Sequence, residues 1–462
     1  MVGLTEAIAS FVVNTPPDDI PEAAIARARK GIADTVGVML AGVSSQTAPP
    51  LLRYAARPGN GGSIPILGTG MTASPEVAAL VNATLGHALD YDDVITLIPG
   101  HPSAVILAAV MSTFEAGKVD PGALLQAYVI GIEVGAKLGL GIGIGHYYRG
   151  WHATGTLGIF AAVTALARLQ HFDVETTRRA IGIATSMASG VQRNFGTMMK
   201  PFHSGWAARN ALVAAELATD GLEAAPDALE SDGGFFAVYG DQKSDPSRAA
   251  AQLGRPYVLI DPGQSLKRYP CCYALHRPIE AILELRKAHG LTIENTDSVL
   301  CSLAPGGLKP LPYSRPKTGL QGKFSLEYAL AASLLDGKID LWTFSDEAVN
   351  RPEIQQLLPR MRTVEDPACA AEDPLAHNRS AGSRGFVTVQ VTTRNGETVM
   401  ARVDKPKGSP ERELSWDDVR EKYLDCAAQA GLAPARAERA FTMLADLGEG
   451  TDLTELLGLL RK

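Results

Sequence analysis

Cysteine is scarce: five in 462 residues, with no Cys-x-x-Cys pair. That excludes a disulfide framework and gives no sign of a thiolate zinc or redox centre. Cys271 and Cys272 are neighbours, and adjacent residues rarely reach disulfide geometry, so both read as small, half-buried side chains with free thiols. Basic charge is short as well. Against 50 aspartates and glutamates stand 43 lysines and arginines, for a net charge of −7. No basic face for neutralising phosphates is evident, so nucleic acid is not an expected partner, and an anionic ligand needs a local positive island. Long apolar runs are missing too. Stretches such as Leu157–Ala167 are interleaved with Gly, Ala and Thr and fall short of the roughly 20 apolar residues of a membrane-crossing helix. Met1–Gly42 is amphipathic and carries carboxylates without an apolar signal region, which makes the cytoplasm the expected location.

What is present is ordinary globular material, 46% hydrophobic and 20% charged, enough for a sizeable core in two domains. From Thr5 to about Thr219 the apolar residues recur at helical spacing, punctuated by Gly and Pro. The Ala/Gly-rich stretches Ala104–Gly117, Gly155–Leu169 and Trp206–Ala218 suit close packing inside a large bundle. After about Asp261 the character changes. Ser298–Leu303 reads as a strand, Gly385–Thr393 with Thr398–Val403 as a hairpin around Asn395-Gly396, and Pro278–His289 and Ser325–Leu335 as helices. The tail Ser415–Leu460 returns to helical spacing, with Ser415 and Asp418 as an N-cap signal. The expected fold is mainly α: an all-helical domain over 1–262 and 412–462, and a smaller α+β lid domain over 263–411.

The candidate chemistry begins with a recurrence. His101-Pro102, Lys200-Pro201 and His276-Arg277-Pro278 each stand just before a predicted helix, and His152 stands ahead of a Gly/Ala-rich one. A helix N-terminus attracts carboxylates and disfavours protonation of a neighbouring His or Lys, which keeps that group available as a base. One such residue is more often structural; four are harder to dismiss. The acidic run Asp90-Tyr91-Asp92-Asp93 precedes His101 by eight residues and can orient an imidazole, bind a metal or cap a helix. No His-x-x-x-His or His-x-x-Glu spacing occurs, so no metal is expected. The run Gly139–Gly145 fails the dinucleotide-loop spacing and follows a helical stretch, and Ser103 and Ser204 lack a Gly-x-Ser-x-Gly elbow.

Asn82, Gly86-His87-Ala88-Leu89-Asp90-Tyr91-Asp92-Asp93 and His101-Pro102-Ser103-Ala104 together resemble the signature of the MmgE/PrpD family. Gly150–Gly158, Gly196–Gly205, Lys267-Arg268-Tyr269-Pro270 with His276, and Lys323-Phe324-Ser325-Leu326-Glu327-Tyr328 follow in family order over essentially the whole chain. The resemblance implies a helical domain with an α+β lid, a homodimer, and cofactor-free chemistry on small anionic di- or tricarboxylates. Family activities include 2-methylcitrate dehydratase, cis-aconitate decarboxylase and iminodisuccinate epimerase. It carries catalytic roles onto Asp90, His101, His152, Lys200, His276 and Tyr328. Lys267, Arg268, Arg277, His203 and Asp93 are candidate substrate contacts. Val94 stands where the decarboxylase branch has a threonine, and the methylcitrate dehydratases differ around Trp151–Gly155. A dehydratase-type lyase is the leading expectation, decarboxylase and epimerase the alternatives within the family. A metabolite-binding scaffold and a metal-dependent hydrolase are the rivals of another class.

Overall fold

The computed structural model describes residues 3–114, 119–372 and 384–462. The chain divides into two compact units: residues 1–193, 199–266 and 415–462 form the first, and 194–198 with 267–414 form the second. The fold is mainly α; among the described residues there is a small four-stranded mixed sheet and a two-stranded antiparallel one formed by Ile64–Pro65 and Thr72–Ala73.

The first unit is helical because its long segments are apolar on nearly every side. The helix Pro121–Ile142 buries most of its length and packs on Gly158–Leu169. By length and composition Pro121–Ile142 is apolar enough to cross a membrane, which the sequence reading did not expect. It is a core helix, with 83% of its most apolar window buried inside the protein. Small residues set the spacing. Helix Met199–Thr219 lies against Pro75–Ala88, and a Cβ on Gly205 would stand 2.0 Å from Thr84 Oγ1 and 2.2 Å from the Leu80 carbonyl. Only glycine allows that approach. The tail helix Trp416–Gln429 starts with a reciprocal Ser415/Asp418 capping box and packs on Glu22–Ala41, where the buried pair Lys422–Asp34 closes at 2.7 Å.

The second unit carries the four-stranded sheet, in the order Met361–Glu365, Thr296–Leu303, Val387–Thr393, Thr398–Val403. The first pair is parallel and the other two antiparallel. Alternate residues Val387, Val389 and Val391 point into a core shared with helices His276–His289 and Leu326–Asp336. The turn at Asn395-Gly396 forms as expected, with Gly396 at φ +85°.

Several boundaries differ from the sequence reading. Lys200 is the second residue of helix Met199–Thr219 and His276 the first of His276–His289; neither precedes its helix. Pro201 and Pro278 fall within the first turn, where their missing N–H has no intrahelical partner to lose. The helix from Pro102 ends at Met111, and the expected end at Gly117 lies outside the described residues. The strand Met361–Glu365 was not anticipated: it is an edge strand with only Met361 fully buried, so it lacks alternation. The run Gly139–Gly145 is a close-packed helix end, since a Cβ on Gly139 would lie 2.3 Å from the Leu97 carbonyl.

Candidate active site

Helix Pro75–Ala88 ends in Gly86-His87-Ala88, and the chain turns sharply through Asp90, held at φ +52°. Outside glycine this left-handed conformation is uncommon, and it accumulates at functional sites. The turn aims three successive carboxylates in different directions. Asp92, fully buried, receives His87 Nδ1 at 2.9 and 3.0 Å from its two oxygens. That hydrogen bond places the proton on Nδ1 and leaves a lone pair on His87 Nε2, which accepts from Lys200 Nζ at 3.0 Å. The same ammonium donates to Asp90 Oδ1 at 2.6 Å. Asp92, His87, Lys200 and Asp90 thus form one continuous chain of buried hydrogen bonds.

His101 caps the helix Pro102–Met111 beside this chain. Its Nδ1 donates to the Asp93 carbonyl at 2.7 Å, so Nε2 carries the lone pair and stands 3.8 Å from Asp90 Oδ1. Its ring centroid lies 4.5 Å from that of His87. The backbone N–H of His101 donates to Thr154 Oγ1 at 3.1 Å, fastening this loop to the short helix that His152 caps. The approach is close enough that a Cβ on Gly100 would meet the Thr154 nitrogen at 2.8 Å. His152 in turn stacks on His87 at 5.7 Å and faces His203 with Nδ1 to Nδ1 at 3.0 Å.

Burial is the dominant electrostatic cause throughout. It lowers the pKa of His87, with the Asp92 carboxylate opposing, and lowers that of His152 well below the ordinary value, helped by Lys200 and His203. His203 is brought down to about 4 by burial, His87 and Lys200. Near neutral pH the His152–His203 pair is therefore uncharged. Of two neutral rings meeting through Nδ1, one carries its hydrogen on Nδ1 and the other on Nε2. Exchange between these arrangements moves a proton through the pair.

Asp93 lies behind the cluster. It is 0% exposed, its carboxylate takes Gln264 Nε2 at 2.8 Å and the Ser103 N–H at 3.3 Å, and burial with the Asp92 charge raises its pKa to about 7. Its contact with His101 runs through its carbonyl. That gives Asp93 a supporting place where a substrate contact was expected. The backbone of Val94 pairs in both directions with Ser265, fixing this loop against the 264–265 segment. From the other side Lys422 donates to the Tyr91 carbonyl at 2.8 Å.

The structure thus brings together Asp90, His101, His152, Lys200 and His203 in the first unit. Asp93 lies behind them in the same unit, and the remaining sequence candidates lie in the second. His276 is buried there between the rings of Tyr269 and Tyr273, at 5.2 and 5.1 Å. The Tyr328 hydroxyl donates to the Thr343 carbonyl inside the core. Arg277 donates to the carbonyls of Arg384 and Gly385 at 3.0 and 2.6 Å, and Lys267 is fully buried. Sequence reasoning assigned no role to His87, Gln264 or Lys422, and named Asp92 only within the acidic run able to orient an imidazole. A signal for His87 existed: a lone imidazole in an otherwise apolar, small-residue helix end needs a polar partner, and the acidic run five residues on supplies one.

Comparison with known proteins matches both parts of the chain to one family. Residues 6–247 match the MmgE/PrpD N-terminal domain and residues 269–447 the MmgE/PrpD C-terminal domain. The chain is 27% identical to the cis-aconitate decarboxylase of Aspergillus terreus, over 99% of this chain and 96% of that one. It is 25% identical to the cis-aconitate decarboxylases of Mus musculus and Homo sapiens, over 99% of this chain and 93% and 94% of theirs.

Proposed function

The chain belongs to the MmgE/PrpD family, and from that premise we propose that it is a lyase moving a proton at the carbon next to a carboxylate of a small polycarboxylic acid. The observation that carries this reading is the juxtaposition of His101, with its lone pair fixed on Nε2, and the Lys200 ammonium bound between Asp90 and His87. Removing a hydrogen α to a carboxylate needs a base that is neutral near pH 7 and a cation for the charge that develops on the enolate. His101 Nε2 takes the proton. Lys200 stabilises the enolate. The neutral His152–His203 pair acts as a relay: as one ring takes up a proton from solvent, the other releases one, either to a departing hydroxyl, which leaves as water, or to the carbanion left by CO₂. Asp90 orients Lys200, and Asp92 holds the His87 tautomer that accepts from it.

Dehydration leads among the possible outcomes because Val94 has no hydroxyl where the decarboxylase branch carries a threonine. The names of the curated relatives favour decarboxylation of cis-aconitate as the second reading. Tyr328 is given no step, its hydroxyl being committed to Thr343. The working unit in this reading is a cytoplasmic homodimer without organic cofactor.

The test is proton NMR of the metal-stripped protein in D₂O with citrate, methylcitrate, cis-aconitate, malate, tartrate and iminodisuccinate. Deuterium entering an α-carbon together with loss of water or CO₂ supports the lyase. Inversion without loss would transfer the protein to the epimerases, and inertness of a folded protein toward the whole panel would count against the reading.

A further inference from the structure

We infer that His87, His101 and Asp90 form a latent site for a borderline divalent cation such as zinc or cobalt, and that the Lys200 ammonium occupies the cation's place. The inference stands on the geometry of the cluster and does not depend on which reaction the protein performs. Two imidazoles and a carboxylate are the ligand types that such ions take. One ligand atom from each of His87, Asp90, Asp92 and His101 lies within 4.8 Å of the others.

Both imidazoles are oriented from behind in the manner of metal-binding histidines. His87 Nδ1 is held by the Asp92 carboxylate and His101 Nδ1 by the Asp93 carbonyl. Each therefore presents an unprotonated Nε2, the tautomer and support that ligating histidines require. One Nε2 faces an Asp90 carboxylate oxygen directly, and the other reaches it through the Lys200 ammonium. His101 Nε2 is 3.8 Å from Asp90 Oδ1, and Lys200 Nζ joins that same oxygen at 2.6 Å to His87 Nε2 at 3.0 Å. Tetrahedral ligands at metal distances sit about 3.4 Å apart, so the 3.8 Å separation needs to close by only a few tenths of an ångström. Asp92 stays behind His87 as its support.

A singly charged ammonium already sits between two of these ligands, His87 Nε2 and Asp90 Oδ1, so the pocket favours a cation. A divalent ion entering it must expel Lys200 from Asp90 and His87. Lys200 therefore has a second role beside binding negative charge: it keeps a ready-made ligand set free of metal. A metal that won the competition would tie up His101 Nε2 and remove the lysine, ending proton transfer.

The test is a cobalt(II) titration of metal-stripped Lys200→Met, followed by the visible absorption of four-coordinate cobalt, beside the unsubstituted protein. Lys200→Met is expected to take up one equivalent at least about tenfold more tightly than the unsubstituted protein, a difference of about 1.4 kcal/mol. A further His87→Gln or Asp90→Asn change should erase the band, and Asp92→Asn should weaken uptake about 10- to 100-fold as a support residue. Equal affinity with and without Lys200, or no band in a variant with native circular dichroism, overturns the inference. If Lys200→Met fails to fold, X-ray absorption of the unsubstituted protein with excess zinc decides. Two imidazole nitrogens and a carboxylate oxygen support the site; thiolate or histidine-free ligation refutes it.

Discussion

At the scale of single residues, the site is organised by which ring nitrogen carries a proton. A carbonyl fixes His101, a carboxylate fixes His87, and each fixes the other, His152 against His203. His101→Gln retains a hydrogen-bonding side chain but no base, so kcat should fall by roughly 10² to 10⁴ with KM little changed. A variant retaining a tenth or more of the activity would remove His101 from the mechanism. For Lys200→Ala, turnover should vanish in steady-state assays while circular dichroism stays native, and near-normal activity would contradict its assigned role. Four of the candidates that meet in the first unit, His101, His152, Lys200 and Asp90, were legible in the sequence from helix starts, an acidic run and family motifs. Gln264 was not, because what makes it functional is a partner it meets only in space, and the pairing of His87 with Asp92 went unread although the two are five residues apart. Gln264 lies 171 positions from the carboxylate it holds.

Among the elements, small residues and buried pairs decide where the chemistry sits. Glycine at position 205 lets Met199–Thr219 touch Pro75–Ala88 closely enough for Lys200 to reach His87. Gly205→Ala puts a methyl against backbone and Thr84, so the helices must part, and activity should drop together with thermal stability. Loss of neither would show that the contact has slack. The tail helix serves the same end. Lys422→Met takes the ammonium away from the buried Asp34 carboxylate and removes a donor to the Tyr91 carbonyl, at a cost of about 3–5 kcal/mol measurable by denaturant unfolding. A change below about 1 kcal/mol would mean that the pair is not what anchors the acidic turn. The hairpin and the capping box were readable because their signals are local. Helix starts at Lys200 and His276 were misplaced because proline fits several positions in a first turn. The strand Met361–Glu365 was invisible because an edge strand with one buried side needs no alternation that a sequence would display.

For the whole molecule, the change of character near Asp261 falls close to the point where the chain passes from the first unit to the second, after Leu266. The mainly α architecture was legible because long apolar periodicity survives any rearrangement of neighbours. Burial of neutral histidines also sets how stability follows pH. His87, His146, His152 and His203 all titrate below their ordinary value of 6.5 in the folded protein, His146 and His203 at about 4. Between pH 6.5 and about 4 the unfolded chain therefore binds more protons at these four groups, and acid favours unfolding. Asp93, Glu133 and Glu216, raised by burial, act in the opposite sense over the acid range. Four histidines outweigh three carboxyls, one of them only partly buried, so the melting temperature should decline as pH falls from 6.5 toward 4. A calorimetric midpoint that rose over that interval would contradict the neutral, buried cluster.

The most direct test of the account is α-hydrogen exchange. With the substrate that the NMR panel identifies, the unsubstituted protein in D₂O should wash deuterium into the carbon next to the carboxylate, and His101→Gln should slow this exchange by at least about 100-fold. Exchange at an undiminished rate in His101→Gln would place the base elsewhere and contradict the assignment of the proton-transfer site to this cluster.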